Sequence, residues 1–209
     1  MSPFSAYWPV RLNHGPVTLR PLRRRDEGAW AEIRARGADW FGPWDSTRPP
    51  DSLEESLTFA QMVARFNARA RAGQMLPWAV EYHPEPHAPG TFAGQVTVSG
   101  ITRGSASWAQ IGYWIDQRWA GRGIIPVAVA LAGDYCFTTL RLHRLEIAIR
   151  PENTKSLAVV RKLGFRYEGR RPRYMHVAGD WRDHDVFALT AEEVAEGLLR
   201  RLESQHNKG

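Results

Sequence analysis

The sequence predicts a mixed α/β protein: one domain on a central sheet that combines parallel and antiparallel strands and is flanked by helices. Three observations predict it. Near the middle of the chain a strand, a glycine-bearing loop, an apolar helix and a second strand follow one another, an order that implies a parallel pair with a crossover helix. Strands joined by short turns imply antiparallel partners. A length of 209 residues fits one large domain whose core needs no covalent staples, here expected to span about 17–190 with a helical tail over 191–209.

The elements follow in order. Val17–Leu22 alternates apolar and polar residues as a half-buried strand does. Asp26 is placed to cap a helix that carries Trp30 and Ile33 on one face. The stretch GADWFGPWDSTRPP reads as a loop with two tryptophans and three prolines. Ser52–Glu55 fits a capping box that opens a long helix to about Ala72. LPWAVEY, FAGQVTVSGI and SWAQIGYWID read as strands, the first two separated by a proline-rich connection. The run from Pro126 to Leu140 is apolar almost all round, which predicts a buried helix. RLEIAI is a strand, and the following helix ends at Gly164, a residue suited to a left-handed C-terminal position. FRYEG and HDVFALT are the last strands, with a hairpin turn on Gly179 and Asp180 between them. Glu192–Arg201 reads as a terminal helix.

Composition excludes several classes. One cysteine, Cys136, rules out an internal disulfide framework and a cysteine-based zinc site, and its apolar surroundings predict a buried thiol. No metal is expected. The opening residues lack a basic-then-apolar leader pattern, and no apolar run reaches membrane-spanning length, so a cytoplasmic protein without a membrane partner is the expectation. A formal charge of +6 suggests anionic company, either a phosphorylated ligand or proximity to RNA, against the plainer reading of an arginine-rich soluble chain.

The loop RWAGRG, Arg118–Gly123, carries the first chemistry. It follows a strand and opens the buried helix, where unpaired N–H groups and the helix dipole favour phosphate. It lacks the Lys-Ser/Thr of a Walker loop, and Pro126 stands where a dinucleotide fingerprint has its third glycine. By itself the loop is either a turn or a phosphate cradle.

The wider pattern decides. Arg118–Gly123 matches the acyl-CoA signature Q/R-x-x-G-x-G/A, and NTKS followed by LGFRYEG lies downstream at the matching distance. With these motifs the chain resembles the GNAT acetyltransferases over roughly Val17–Thr190. IGYWID and GDWRDHDVFALT narrow the likeness to ribosomal-protein alanine N-acetyltransferases of the RimJ type. The resemblance implies acetyl-CoA in a splay between two parallel strands, here Ser107–Asp116 and Arg144–Ile149. It places the pyrophosphate on amides of Gly121, Arg122, Gly123, Ile124 and Ile125, with charge from Arg118 and Arg122. Backbone groups near Trp114 and Ile115 would hold the pantetheine arm, faced by Asn153 and Ser156. The acceptor amine would attack directly, with no acyl-enzyme.

Such a transfer needs a base for the amine proton and a donor for the thiolate. Glu168 is the first candidate for the base; its alternative is an ion pair with Arg166, Arg170 or Arg171. Glu146 is the second, with a salt bridge to Arg144 or Arg150 as its alternative. In some N-terminal acetyltransferases a base lies two residues further on, where this chain has Ala148. Ser156 is the candidate donor to the thiolate, or a helix-start hydroxyl satisfying the backbone. Tyr113 and Tyr174 are alternative acids or strand packing. His176 and His184 are expected to be structural. Trp40, Phe41, Trp44 and Tyr174 are candidates for the acceptor pocket, with loop anchoring as the other role of the tryptophans. The expected acceptor is a protein N-terminal α-amine, of a ribosomal protein. The alternatives are a small-molecule amine such as an antibiotic or polyamine, for which a positive protein is a poor match, and a non-catalytic CoA-binding module.

Overall fold

The computed structural model describes residues 7–53, 55–85 and 88–206. Among them, strands β1 (Leu12–His14), β2 (Val17–Pro21), β3 (Leu76–Tyr82), β4 (Thr91–Thr102), β5 (Trp108–Ile115), β6 (Arg144–Ile149), β7 (Arg166–Val177) and β8 (Asp180–Thr190) form one sheet. Its order is β1-β2-β3-β4-β5-β6-β8-β7. Neighbours are antiparallel except β5 and β6, which run parallel. That parallel pairing joins Trp108–Gln110 to Arg144–Glu146 and goes no further. Beyond it β5 continues along β4 until Ile115 faces Gly94, and β6 continues along β8 until Ile149 faces Asp185. A wedge therefore opens in the middle of the sheet, where the family resemblance implies a splay.

Helices cover both faces: α1 (Glu27–Arg36), α2 (Ala38–Phe41) and α3 (Phe59–Arg71) one, α4 (Ile124–Thr138), α5 (Thr154–Leu163) and α6 (Leu198–His206) the other. Strand alternation divides the core between them. Trp78 and Val80 point into the larger cluster with α4, while Ala79 between them joins Ile33, Phe41 and Phe59 in the smaller one. α4 is buried on nearly every side, as its all-apolar sequence predicts.

Several expectations fail locally. The helix expected from Ser52 begins only at Phe59. Its capping box is Thr58 with Gln61: the Gln61 N–H donates to the Thr58 hydroxyl at 3.3 Å, and the Thr58 N–H to the Gln61 side chain at 2.9 Å. Leu53 is wholly exposed and Leu57 largely so, whereas Phe59 is buried. The helix starts where an apolar side chain first reaches the core, not at the earlier motif. Asp26 precedes α1 but makes no side-chain cap to that helix; instead its Oδ2 accepts the Arg23 N–H at 2.8 Å, closing the turn before it. Its buried carboxylate takes two bonds, 2.8 and 2.9 Å, from the Arg20 guanidinium, a stronger claim than a cap.

The tryptophan loop contains α2 and a 3-10 turn at Gly42–Trp44, after which Ser46 bridges to Val177 of β7. The last hairpin turns on Ala178 and Gly179, both at positive φ, one residue earlier than expected, and Asp180 already belongs to β8. The terminal helix is broken in two. A 3-10 turn covers Ala191–Val194, Gly197 sits at φ +93°, and α6 starts at Leu198. Asp134 of α4 supplies its cap, accepting the Leu198 and Leu199 N–H groups at 2.6 and 3.1 Å. β1 has no counterpart among the expected strands.

Candidate active site

The loop before α4 has the geometry of an anion cradle. Gly121 and Gly123 lie at φ +78° and +75°, a region that costs other residues about 1–2 kcal/mol. A Cβ on either would meet nothing within 4 Å, so the space before the loop is open. Gly123 is the N-cap of α4, which leaves the Ile124 and Ile125 amides in the helix's unpaired first turn. Arg122 lies over the Trp119 ring, 5.0 Å from its centroid. With His14, Tyr82 and Lys162 it also lines a cleft of about 270 Å³ beside Gly123 and Ile124. Open glycines, aligned amides and two cations fit a pyrophosphate with a nucleotide attached. Arg118, expected to add charge here, turns back. Its guanidinium binds Asp116 at 2.7 and 2.9 Å. Burial pulls the Asp116 carboxyl upward, but hydrogen bonds from the Arg118 side chain and backbone, with the charges of Arg118 and Arg36, hold it below its ordinary value. Arg118 therefore braces the loop, and Arg122 is the arginine left to face a ligand.

The wedge between β5 and β6 begins 3 residues past the first parallel rung, after Gln110. The Asp116 N–H donates to Ala93 of β4 at 2.7 Å. Backbone groups alternate along a strand, so those of Trp114 also face β4, and those of Tyr113 and Ile115 face the wedge. Two contacts agree. A Cβ at Gly94 would collide with the Trp114 carbonyl, and the Ile115 carbonyl accepts the Trp40 indole N–H at 3.0 Å. Of the two residues near which backbone is expected to meet a pantetheine arm, Ile115 turns its backbone to the wedge and Trp114 turns its to β4; Tyr113 also faces the wedge. The Tyr113 hydroxyl crosses the wedge and donates to the Ser156 carbonyl at 3.3 Å, and burial pushes its pKa up. On that far wall the Asn153 side chain caps α5 by accepting the Ser156 N–H at 3.1 Å. Among the described residues the Ser156 hydroxyl has no hydrogen-bond partner, so it is not spent on the helix start.

The throat of the wedge carries a polar network on the face opposite α4. Gln110 and Glu146 stand opposite each other in the last parallel rung. Gln110 donates to the Tyr174 hydroxyl at 2.9 Å, and Arg171 donates to the same oxygen at 3.0 Å. Glu146, 6% exposed, receives Arg144 on Oε1 at 2.8 and 2.9 Å, while among the described residues its Oε2 has only Arg171, at 3.4 Å. Glu168 is otherwise committed. It is paired to Arg144 and Arg166, and the Arg144 hydrogen bonds, with Arg166 behind them, bring its pKa down to about 2. A carboxylate held so low takes a proton poorly at neutral pH. Of the alternative partners considered for it, Arg166 is real; Arg170 binds Asp185 and Arg171 reaches Glu146. His184 is buried beside Tyr174, and burial lowers its pKa. His176 bonds the Thr47 hydroxyl.

Aromatic residues of the α1–α3 connection form the rim. Phe41 packs edge-on to Trp114 at 5.4 Å and is buried. Trp44 is exposed, with Arg150 5.5 Å from its ring centroid. Trp40 reaches from α2 to both walls: its N–H binds Ile115, and the Lys155 ammonium lies 3.7 Å from the centre of its ring. Phe41 is thus a core residue, while Trp40, Trp44 and Tyr174 border the opening. Gln110, Arg171 and Lys155 escape sequence reasoning. Gln110 had a signal, since a polar residue between buried Ala109 and Ile111 must point to the other face of the sheet.

Residues 17–166 match the family described as the acetyltransferase (GNAT) domain. YjcK of Bacillus subtilis (strain 168), a probable N-acetyltransferase, is 41% identical over 175 residues, covering 83% of this chain and 93% of that protein. The [ribosomal protein uS5]-alanine N-acetyltransferase of Escherichia coli (strain K12) is 28% identical over 188 residues, 90% of this chain and 94% of that protein. The structure of Mycobacterium smegmatis RimJ in complex with CoA-disulfide superposes with a TM-score of 0.85 at 37% identity, covering 99% of this chain and 98% of that one. The splayed sheet, the glycine cradle and these likenesses lead to one assignment: the chain belongs to the GNAT family, as an N-acetyltransferase similar to RimJ that uses acetyl-CoA.

Proposed function

We propose that the enzyme acetylates the N-terminal α-amine of a protein, a ribosomal protein, in the cytoplasm. Acetyl-CoA supplies an activated acetyl group as a thioester. The observation that carries the reading is Glu146 in the throat of the wedge, on the face opposite the glycine cradle. Its Oε2, met only by a long contact from Arg171, is free to take the amine proton, directly or through one water. Glu168 holds Arg144 in place. Asn153 positions the start of α5, and Ser156 offers its hydroxyl to a leaving thiolate. Amides of Gly121, Arg122, Gly123, Ile124 and Ile125 support the phosphates, and the backbone of Tyr113 and Ile115 holds the arm. Cys136 is wholly buried and its pKa is pushed up by burial, which leaves direct transfer without a cysteine carrier.

The acceptor class is supported by the relatives named for ribosomal-protein alanine acetylation and by charge. Arg150, Lys155 and Arg171 border the opening over Trp44, Trp40 and Tyr174, an unfavourable mouth for a polycation. The test is acetyl transfer to peptides with alanine N-termini and to intact ribosomal proteins, located by mass spectrometry, beside a panel of polyamines and aminoglycosides. Transfer to N-terminal nitrogens supports the reading. Turnover on the small amines alone, or none at all despite acetyl-CoA binding, overturns it.

A further inference from the structure

Aromatic side chains of the α1–α3 connection, at the opening or packed behind it, carry cations. Arg34 lies 4.4 Å from the centroid of Phe41, Arg150 5.5 Å from that of Trp44, and Lys155 3.7 Å from that of Trp40. Two of these cations are fastened elsewhere. Arg34 is paired with Asp45, and Arg150 donates to the Pro43 carbonyl at 2.6 Å and meets Glu152 at 3.2 Å. Lys155 is different: among the described residues the Trp40 ring is its one partner. Lysine is also rare in this chain, since Lys155, Lys162 and Lys208 are the only ones in the sequence.

We infer that the Trp40 indole face is the docking site for the ammonium of the arriving acceptor, and that Lys155 occupies this site in the acceptor's absence. The inference deepens the proposed transfer to an α-amine and rests on it. The physical ground is direct. A primary amine reaches the enzyme mainly as an ammonium, and an indole face binds an ammonium through its quadrupole. Here that face already holds one. It is also rightly placed, because the same indole is bonded to the Ile115 carbonyl on the β5 wall, while Lys155 stands on the α5 wall beside Ser156. The ring bridges the two walls. An acceptor ammonium that displaces Lys155 leaves the charge on the ring unchanged, and the long lysine chain then swings into solvent. Arginines would be poor substitutes for Lys155 as a stand-in, since a planar guanidinium matches a ring face differently from a primary ammonium.

Two measurements test this. In steady-state kinetics with an alanine N-terminal peptide, Lys155→Met is expected to lower the acceptor KM roughly three- to tenfold, and Trp40→Leu to raise it by a similar factor. An unchanged or raised KM in Lys155→Met overturns the inference. The second needs no transferable substrate: n-butylammonium is titrated while the Trp40 indole N–H resonance is followed by NMR. Half-saturation at a lower concentration in Lys155→Met than in the native protein is expected. No movement in either protein, or equal midpoints, overturns the inference. Failure of every peptide to accept acetyl, with the titration behaving as expected, counts against the proposed acceptor and not against the ammonium site.

Discussion

Glu146 and Glu168 sit within reach of the same arginine, and their surroundings separate their roles. Arg144 binds both, but Glu168 has a second cation, Arg166, whereas Oε2 of Glu146 has only a long contact. Glu146→Gln should lower kcat about 100-fold or more while acetyl-CoA binding by calorimetry persists; a kcat within threefold of native would remove Glu146 as the base. Glu168→Gln should act mainly on stability, in a pH-dependent way. Its folded pKa, near 2, lies below the usual carboxylate range, so the pairing stabilises fully above about pH 5 and is lost as pH falls through 4 towards 2. Melting curves of native and variant protein should differ at pH 7 and converge near pH 2. A constant gap across that range would show that the carboxylate's ionisation is irrelevant.

Among the elements, α4 and α3 show what sequence does and does not reveal. The cradle at the start of α4 was legible because the need for left-handed backbone appears as glycine, and the helix behind it as unbroken apolar residues. Gly123→Ala should cost about 1–2 kcal/mol through its positive φ and weaken acetyl-CoA binding measurably in calorimetry. The start of α3 was misread. Ser52–Glu55 has the same chemistry as the true box, and only burial distinguishes them: Phe59 reaches the core and Leu53 does not. Thr58→Ala should accordingly cost about 1 kcal/mol in chemical denaturation. The broken terminal helix was hidden for a related reason. Its cap comes from Asp134, 64 residues away, and no local pattern announces a partner so distant. The same holds for the site. The motifs marked Gly121, Gly123, Asn153 and Ser156, but whether Arg118 faces a ligand or Asp116, and which backbone faces the wedge, are properties of the folded sheet.

At the scale of the whole molecule the sheet falls into two unequal parts, five strands (β1–β5) and three (β6–β8), on either side of a seam only three residue pairs long. Helix α4 backs both sides, and Tyr113 and Trp40 reach across in front and behind. Yet the amides of Tyr113 and Ile115 lie in the middle of the molecule with no strand beside them. In hydrogen–deuterium exchange these two should be the quickest interior sheet amides, and saturation with CoA should slow them more than their neighbours on β4. On the proposed binding mode a bound CoA would stand in for a missing strand, so that the cofactor would complete the sheet and stiffen the molecule across its seam.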